Sequence, residues 1–242
     1  MSRRIRPGAA APAVSAVTDR AVRSARRQAF RAASLVAEVL FDWRAGVRTR
    51  GRVHNESRVA DLSVGGDPQG YEPANILLWW RMMRAVPVAP GSSTFVDLGA
   101  GRGRPAILAA QRGHRRVVGV ELDEHLVAEA QENLRRWRSR RRPTRGEDAD
   151  VVVVHGDAAA HDLPGGPLVV CVYNAFGPTT LRHVLRRVCD VPQGGTDPVF
   201  LAYLNPVHAA VVTEFPQLVL HARATRWAVY RLQPDTSAPA PG

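Results

Sequence analysis

The sequence predicts an α/β fold: seven strands in one mostly parallel sheet, a C-terminal strand antiparallel, and a helical extension ahead of it. Three observations predict this. The stretch Thr94 to Glu121, TFVDLGAGRGRPAILAAQRGHRRVVGVE, reads as a strand, a glycine turn, a helix and a second strand that closes on a carboxylate. Further short apolar runs then alternate with helix-length segments, the pattern of parallel strands joined by crossovers. The last two runs, Leu218 to Ala222 and Trp227 to Leu232, have no room between them for a crossover, so one runs antiparallel.

Residues 1–15 are low-complexity Ala, Pro and Arg and are expected to form a disordered tail. The basic start imitates a secretory signal, but its middle has no leucine-rich core. Residues 16–60 form a basic amphipathic extension, with a helix expected from about Val17 to Gly46. Ala29, Ala33, Val36, Leu40 and Trp43 recur at helical spacing as one apolar stripe, which is expected to pack on the domain that follows. Arg20, Arg23, Arg26, Arg27 and Arg31 crowd its first half; a basic helix of this kind also suits a membrane surface or nucleic acid.

The domain itself is expected over residues 61–233. It opens on a glycine-rich loop, Asp61 to Gly70, followed by a helix from about Ala74 to Val86 whose Trp79 and Trp80 read as core residues. Pro87 and Pro90 end that helix. The first strand is Phe95 to Leu98, followed by a helix from Pro105 to Gln111 and a strand from Arg116 to Val120. A helix from Asp123, a plausible N-cap, reaches about Trp137, and the arginine run Arg138 to Arg145 is expected to be a solvated loop. Strands follow at Val151 to His155, Leu168 to Tyr173 and Val199 to Leu204, with helices from Pro178 to Cys189 and Val207 to Phe215. A Pro/Ala/Ser tail occupies residues 234–242 and is expected to be disordered.

At 242 residues the chain is long enough to bury one substantial core. No apolar run approaches the ~20 residues of a membrane span. Two cysteines, Cys171 and Cys189, make neither a disulfide framework nor a zinc site, which fits a reducing, cytoplasmic compartment. The histidines are scattered without metal-ligand spacing, so no metal is expected; His208, after Asn205-Pro206, is a base candidate or a surface residue. The formal charge is +11, and all 33 basic residues are arginine. That balance favours acidic partners, nucleic acid among them, or simply a solvated basic surface.

The chemistry is expected at the strand ends. Gly99, Gly101 and Gly103 let the chain turn sharply and let a ligand approach the backbone. Glu121, at the tip of the next strand, suits the two hydroxyls of a ribose. A dinucleotide site needs G-x-G-x-x-G, but here the third glycine comes early and Arg104 stands in its place. Asp97, inside the motif, would repel a pyrophosphate and attract an ammonium. These features favour an adenosine-type ligand that carries positive charge and no phosphate.

The pattern D-x-G-x-G-x-G followed by G-V-E-L resembles that of the class I, Rossmann-like S-adenosylmethionine-dependent methyltransferases. The resemblance covers about Tyr71 to Leu232 and implies their fold, with S-adenosyl-L-methionine as cofactor. It implies that Asp97, Gly99, Ala100, Gly101 and Gly103 surround the methionine end, and that Glu121 holds the ribose with Leu122 beside the adenine. Asp157 would bond the adenine amino group, with Ala158 as a main-chain donor; otherwise Asp157 is a turn residue after Gly156. Asn174 lies where the reacting methyl sits in this family, and Asn174 and Tyr71 are the catalytic candidates, with Glu72 near the cofactor mouth; otherwise Asn174 caps the next helix. FVDLGAGRGR, GVEL and NAFGP together are similar to the telomeric-silencing-disruptor-type lysine methyltransferases, which hints at an amine acceptor. The acceptor is thus expected to be a small molecule or protein bearing an amine or hydroxyl. Alternatives are an RNA methyltransferase, or a non-catalytic protein that binds an adenosyl ligand or a partner.

Overall fold

Seven strands build one sheet: β1 (Thr94–Leu98), β2 (Arg116–Glu121), β3 (Asp150–His155), β4 (Leu168–Tyr173), β5 (Val199–Leu204), β6 (Leu218–Ala224) and β7 (Trp227–Leu232). Their order is β3-β2-β1-β4-β5-β7-β6. β1 to β5 pair in parallel, and β7 runs antiparallel to both of its neighbours. The computed structural model describes residues 12–52, 70–140, 149–192 and 197–233, and side chains from residue 20 onward. The loop expected at 61–70 and the two tails therefore fall largely outside the described residues.

The central strands are buried on both faces, which is why their sequences are nearly continuous apolar runs. One face packs under α2 (Ile76–Arg84), α3 (Arg104–Arg112) and α4 (Glu124–Arg140), with Trp79, Met82, Ile107, Leu108 and Trp137 in its core. The other packs under α5 (Pro178–Cys189) and the single turn α6 (Ala209–Val212), around Leu181, Val184, Leu185 and Val212. Trp79 is fully buried, Trp80 only partly.

Several helix boundaries differ from expectation. α2 starts at Ile76 because the Asn75 side chain accepts the Leu78 N–H, a cap that apolar spacing does not reveal. α4 continues through Arg138 and Arg140, where a loop was expected. The Arg138 guanidinium reaches the Val151 carbonyl and Arg140 Nη1 bonds the Trp43 carbonyl at 2.7 Å, so these arginines pack along their neighbours. At its other end, Asp123 Oδ1 accepts the His125 and Leu126 N–H groups, as a cap should.

The extension forms the 34-residue helix α1 (Pro12–Ala45), which starts within the stretch expected to be tail. Its apolar stripe does not pack on the domain. Ala29, Ala33, Val36, Leu40 and Trp43 face solvent. The opposite face docks instead, through Phe30, Ser34, Ala37, Phe41 and Ala45 together with Glu38 and Asp42. The reversal has a physical cause: the two carboxylates on that face find partners in the domain. Thr49 donates to Asp42 through its backbone N–H (3.1 Å) and its hydroxyl (2.6 Å), and Arg50 Nε stands 3.3 Å from Asp42. Glu38 lies 3.6 Å from Arg104.

Candidate active site

The strand order reverses between β1 and β4, and such a switch point opens a crevice at the carboxyl ends of the strands. The pocket there is lined by Tyr71 and Glu72 from the segment before α2, Gly99 after β1, Glu121 and Leu122 ending β2, Asp157 and Ala158 after β3, and Tyr173 to Phe176 after β4. Most of the residues singled out in the sequence thus meet in one cavity, although they span more than a hundred positions.

The first turn is held tightly. The N–H groups of Gly99 and Ala100 both donate to the Val120 carbonyl at 2.9 Å, fixing the turn to the end of β2. Gly99 has φ +81°, and a Cβ there would come within 2.3 Å of the Ala175 Cβ. Gly101 has φ +52°, and a Cβ there would overlap the Tyr71 ring at 2.2 Å. Both positions therefore need glycine for conformation and for space. Asp97, Ala100, Gly101 and Gly103 do not line the cavity; Asp97 lies buried behind it, and Gly103 precedes α3 and packs toward Ala130 and Val153.

Asp97 is almost wholly enclosed, at 1% exposure, and its Oδ2 has no hydrogen-bond partner among the described residues. Burial, and then the neighbouring Glu121 carboxylate, push its carboxyl well above the ordinary range. A buried acidic oxygen without a donor is costly by itself, and a cationic ammonium would satisfy it. Glu121 is better provided: Oε2 accepts the Gly101 N–H at 2.7 Å and Oε1 the Asp123 N–H at 2.9 Å. Burial still raises its carboxyl, and those backbone bonds oppose the rise. Each carboxylate oxygen has more than one lone pair, so Glu121 retains acceptor capacity for ribose hydroxyls. Glu121→Ala should weaken binding of S-adenosylhomocysteine at least about tenfold, or about 1.4 kcal/mol, in a calorimetric titration; an unchanged affinity would remove Glu121 from the site.

Asp157 Oδ1 accepts the Ala159 N–H at 2.8 Å, so this residue shapes its turn while its side chain lines the cavity. Asn174 is not the cap of α5, because Gly177 precedes that helix with no side-chain bond. Instead Asn174 takes a left-handed backbone, φ +39°, on the cavity wall. Asparagine adopts this conformation more readily than most non-glycine residues, and here it turns the chain at the end of β4. The Tyr71 hydroxyl donates to the Thr49 carbonyl at 2.7 Å, and its ring lies beneath the Arg102 guanidinium. What Tyr71 presents to the cavity is therefore its ring. His208 stands before α6 and is absent from the cavity lining.

Sequence reasoning missed Tyr173 as a wall residue and Arg104 as a structural hub. Arg104 is completely buried; Nε bonds Thr49 Oγ1 at 2.7 Å and Nη1 bonds the Ala74 carbonyl at 2.8 Å. The signal was present, an arginine at the start of an otherwise apolar helix, but its partners lie 55 and 30 residues away.

Residues 95–195 match the family model of a methyltransferase domain. Among solved structures, an RNA methyltransferase from Salinibacter ruber in complex with S-adenosyl-L-homocysteine is 22% identical, with TM-score 0.50 over 70% of this chain and 98% of that one. The PH0226 protein from Pyrococcus horikoshii OT3 is 16% identical, with TM-score 0.50 over 65% and 89%. Geranyl diphosphate C-methyltransferase from Streptomyces coelicolor A3(2) is 13% identical, with TM-score 0.49 over 65% and 78%. At these identities the likenesses speak for the fold alone. No curated protein matches the chain. The family match falls on the glycine turn and on the strand ends that line the cavity, so the pocket lies within the stretch that resembles a methyltransferase domain.

Proposed function

We propose that the chain is an S-adenosylmethionine-dependent methyltransferase, that its methyl acceptor is an amine, carried by a small molecule or a protein, and that it meets the cofactor beside Tyr173 and Asn174. One observation carries this reading. The charged side chains lining the cavity, among the described residues, are Glu72, Glu121, Asp123 and Asp157, all acidic, in a chain of net charge +11. A cavity of that sign draws in cations and repels the phosphates of a nucleic acid. The NAFGP resemblance points the same way.

S-adenosyl-L-methionine supplies a methyl group already activated on a sulfonium, so the leaving group needs no acid. The residues that fit the cofactor are Asp97 toward the ammonium, Glu121 toward the ribose and Asp157 toward the adenine. What remains for the protein is to exclude water and to align the acceptor, and alignment alone can supply several kcal/mol of the barrier. The Asn174 carboxamide oxygen is an acceptor suited to an amine N–H. The Tyr173 hydroxyl is raised to about 12 by burial and then by Glu72, so it stays protonated near neutral pH and orients the acceptor without acting as a base. The Tyr71 hydroxyl is engaged by Thr49, so its part is to wall the cavity.

Asn174→Ala tests the assignment. Turnover should fall at least about tenfold while calorimetric affinity for the cofactor stays within about twofold. Equal losses in both would move Asn174 to cofactor binding. For the acceptor, radiolabelled methyl transfer should go to peptides or polyamines. Transfer to RNA instead, weakening steeply with salt as counterions are released, would replace this reading with the nucleic-acid one.

A further inference from the structure

The outward face of α1 is the largest feature that the cofactor site leaves unexplained. Val22, Ala29, Val36 and Trp43 recur every seventh residue, and Ala25, Ala32 and Val39 fill the same face between them. All are exposed, Trp43 at 71%. Leu35 and Leu40, also exposed, widen the stripe, which runs for about 30 Å at 1.5 Å per residue. From Arg20 to Ala29 every residue is exposed except the half-buried Ser24, so this half of the helix projects beyond the domain. An exposed apolar strip of this length marks an interaction site.

The charges around the strip select its occupant. Arg20, Arg26, Arg27, Arg31 and Arg44 are all exposed. The acidic side chains described in α1, Glu38 and Asp42, face the other way, toward Arg104 and Thr49. A second copy docked in parallel would therefore set arginines against arginines with no exposed acid among the helix's described side chains to offset them. An RNA would satisfy the guanidinium groups and leave the apolar strip against a polyanion. An anionic bilayer accommodates both: acyl chains take the strip, and lipid headgroups take the arginines, whose long stems reach sideways from a buried helix.

We propose that α1 is an interfacial membrane helix that seats this enzyme on an anionic lipid surface. The full-length protein should co-sediment with vesicles containing equal parts phosphatidylglycerol and phosphatidylcholine. It should bind them at least about tenfold more tightly than vesicles of phosphatidylcholine alone, with the difference shrinking as salt rises. Val36→Glu combined with Leu40→Glu should abolish that binding without changing the melting temperature or the affinity for S-adenosylhomocysteine, since both positions face solvent. As a measurement free of any folding risk, brominated lipids should quench wild-type tryptophan emission more than that of Trp43→Phe. Equal binding to both kinds of vesicle, binding that survives the double substitution, or quenching that does not depend on Trp43 would each overturn the proposal. So would a dimer or an RNA complex that the double substitution dissolves, which would assign the strip to that partner.

Discussion

Asparagine at position 97 is expected to give a more stable protein that no longer holds its cofactor. Asp97 is buried beside Glu121 with an oxygen that has no partner among the described residues, and both carboxyls are raised above their ordinary range. The sign follows directly. In the unfolded chain the aspartate ionises near its usual value of about 3.9, while in the folded chain it resists ionisation. Between those two values the unfolded state sheds a proton that the folded state keeps, so stability falls as pH rises, and above both the whole penalty stands. A neutral amide of the same shape removes it. Each kcal/mol recovered should raise the melting temperature by about 2–4 °C in a domain of this size. The same change deletes the charge proposed to face the ammonium, and affinity for S-adenosylmethionine should drop more than about tenfold. Thermal melts and calorimetry at pH 7 read both effects. A destabilised variant, or one that binds as the wild type does, would show that Asp97 is not a charge held in reserve for a cation. A site that sacrifices stability for function is the general expectation for preorganised binding groups.

The second large effect is expected at Arg104. Its guanidinium lies completely buried between three parts of the chain: Glu38 on α1, Thr49 beyond it, and the Ala74 carbonyl before α2. Arg104→Ala would leave a buried hydroxyl, a carbonyl and a half-buried carboxylate without that donor. Loss of one partner from such a buried group costs about 3–5 kcal/mol, which corresponds to a fall on the order of 10 °C in melting temperature. Arg104→Lys should recover only part, because one ammonium cannot reproduce a planar fork that bonds in two directions. Denaturant titration gives the measure; a loss below about 1 kcal/mol would mean that Arg104 contributes little to holding α1. The Nη2 atom of Arg104 has no partner among the described residues, so the wild-type arrangement already carries some desolvation cost.

Much of this was legible in the residues. The strands were readable because buried parallel strands are continuous apolar runs, and Phe95 to Leu98, Leu168 to Tyr173 and Val199 to Leu204 are such runs. The cavity was readable because Gly99, Glu121, Asp157 and Asn174 each stand at the end of a strand, and strand ends converge in this fold. The facing of α1 was not readable. Periodicity locates an apolar stripe but cannot tell which side of a helix will dock, and here Glu38 and Asp42 find buried partners that only tertiary structure brings near. Arg104 escaped for the same reason, and so did the Tyr71 hydroxyl, whose acceptor is the carbonyl of Thr49, 22 residues earlier.

Thr49 joins these threads. It bonds Asp42 at the end of α1, receives Arg104 from the helix behind the glycine turn, and accepts the Tyr71 hydroxyl, whose ring rests against Gly101. The segment that matches the family begins only at residue 95, yet its glycine turn and first helix are braced by Asp42, Thr49, Tyr71 and Ala74. A fragment cut at the family boundary would strand a bare guanidinium in the core and lose the tyrosine wall of its own binding site. The first helix is thus part of the smallest unit that keeps this cavity in shape, and a graft of the core onto another protein would have to bring that helix along.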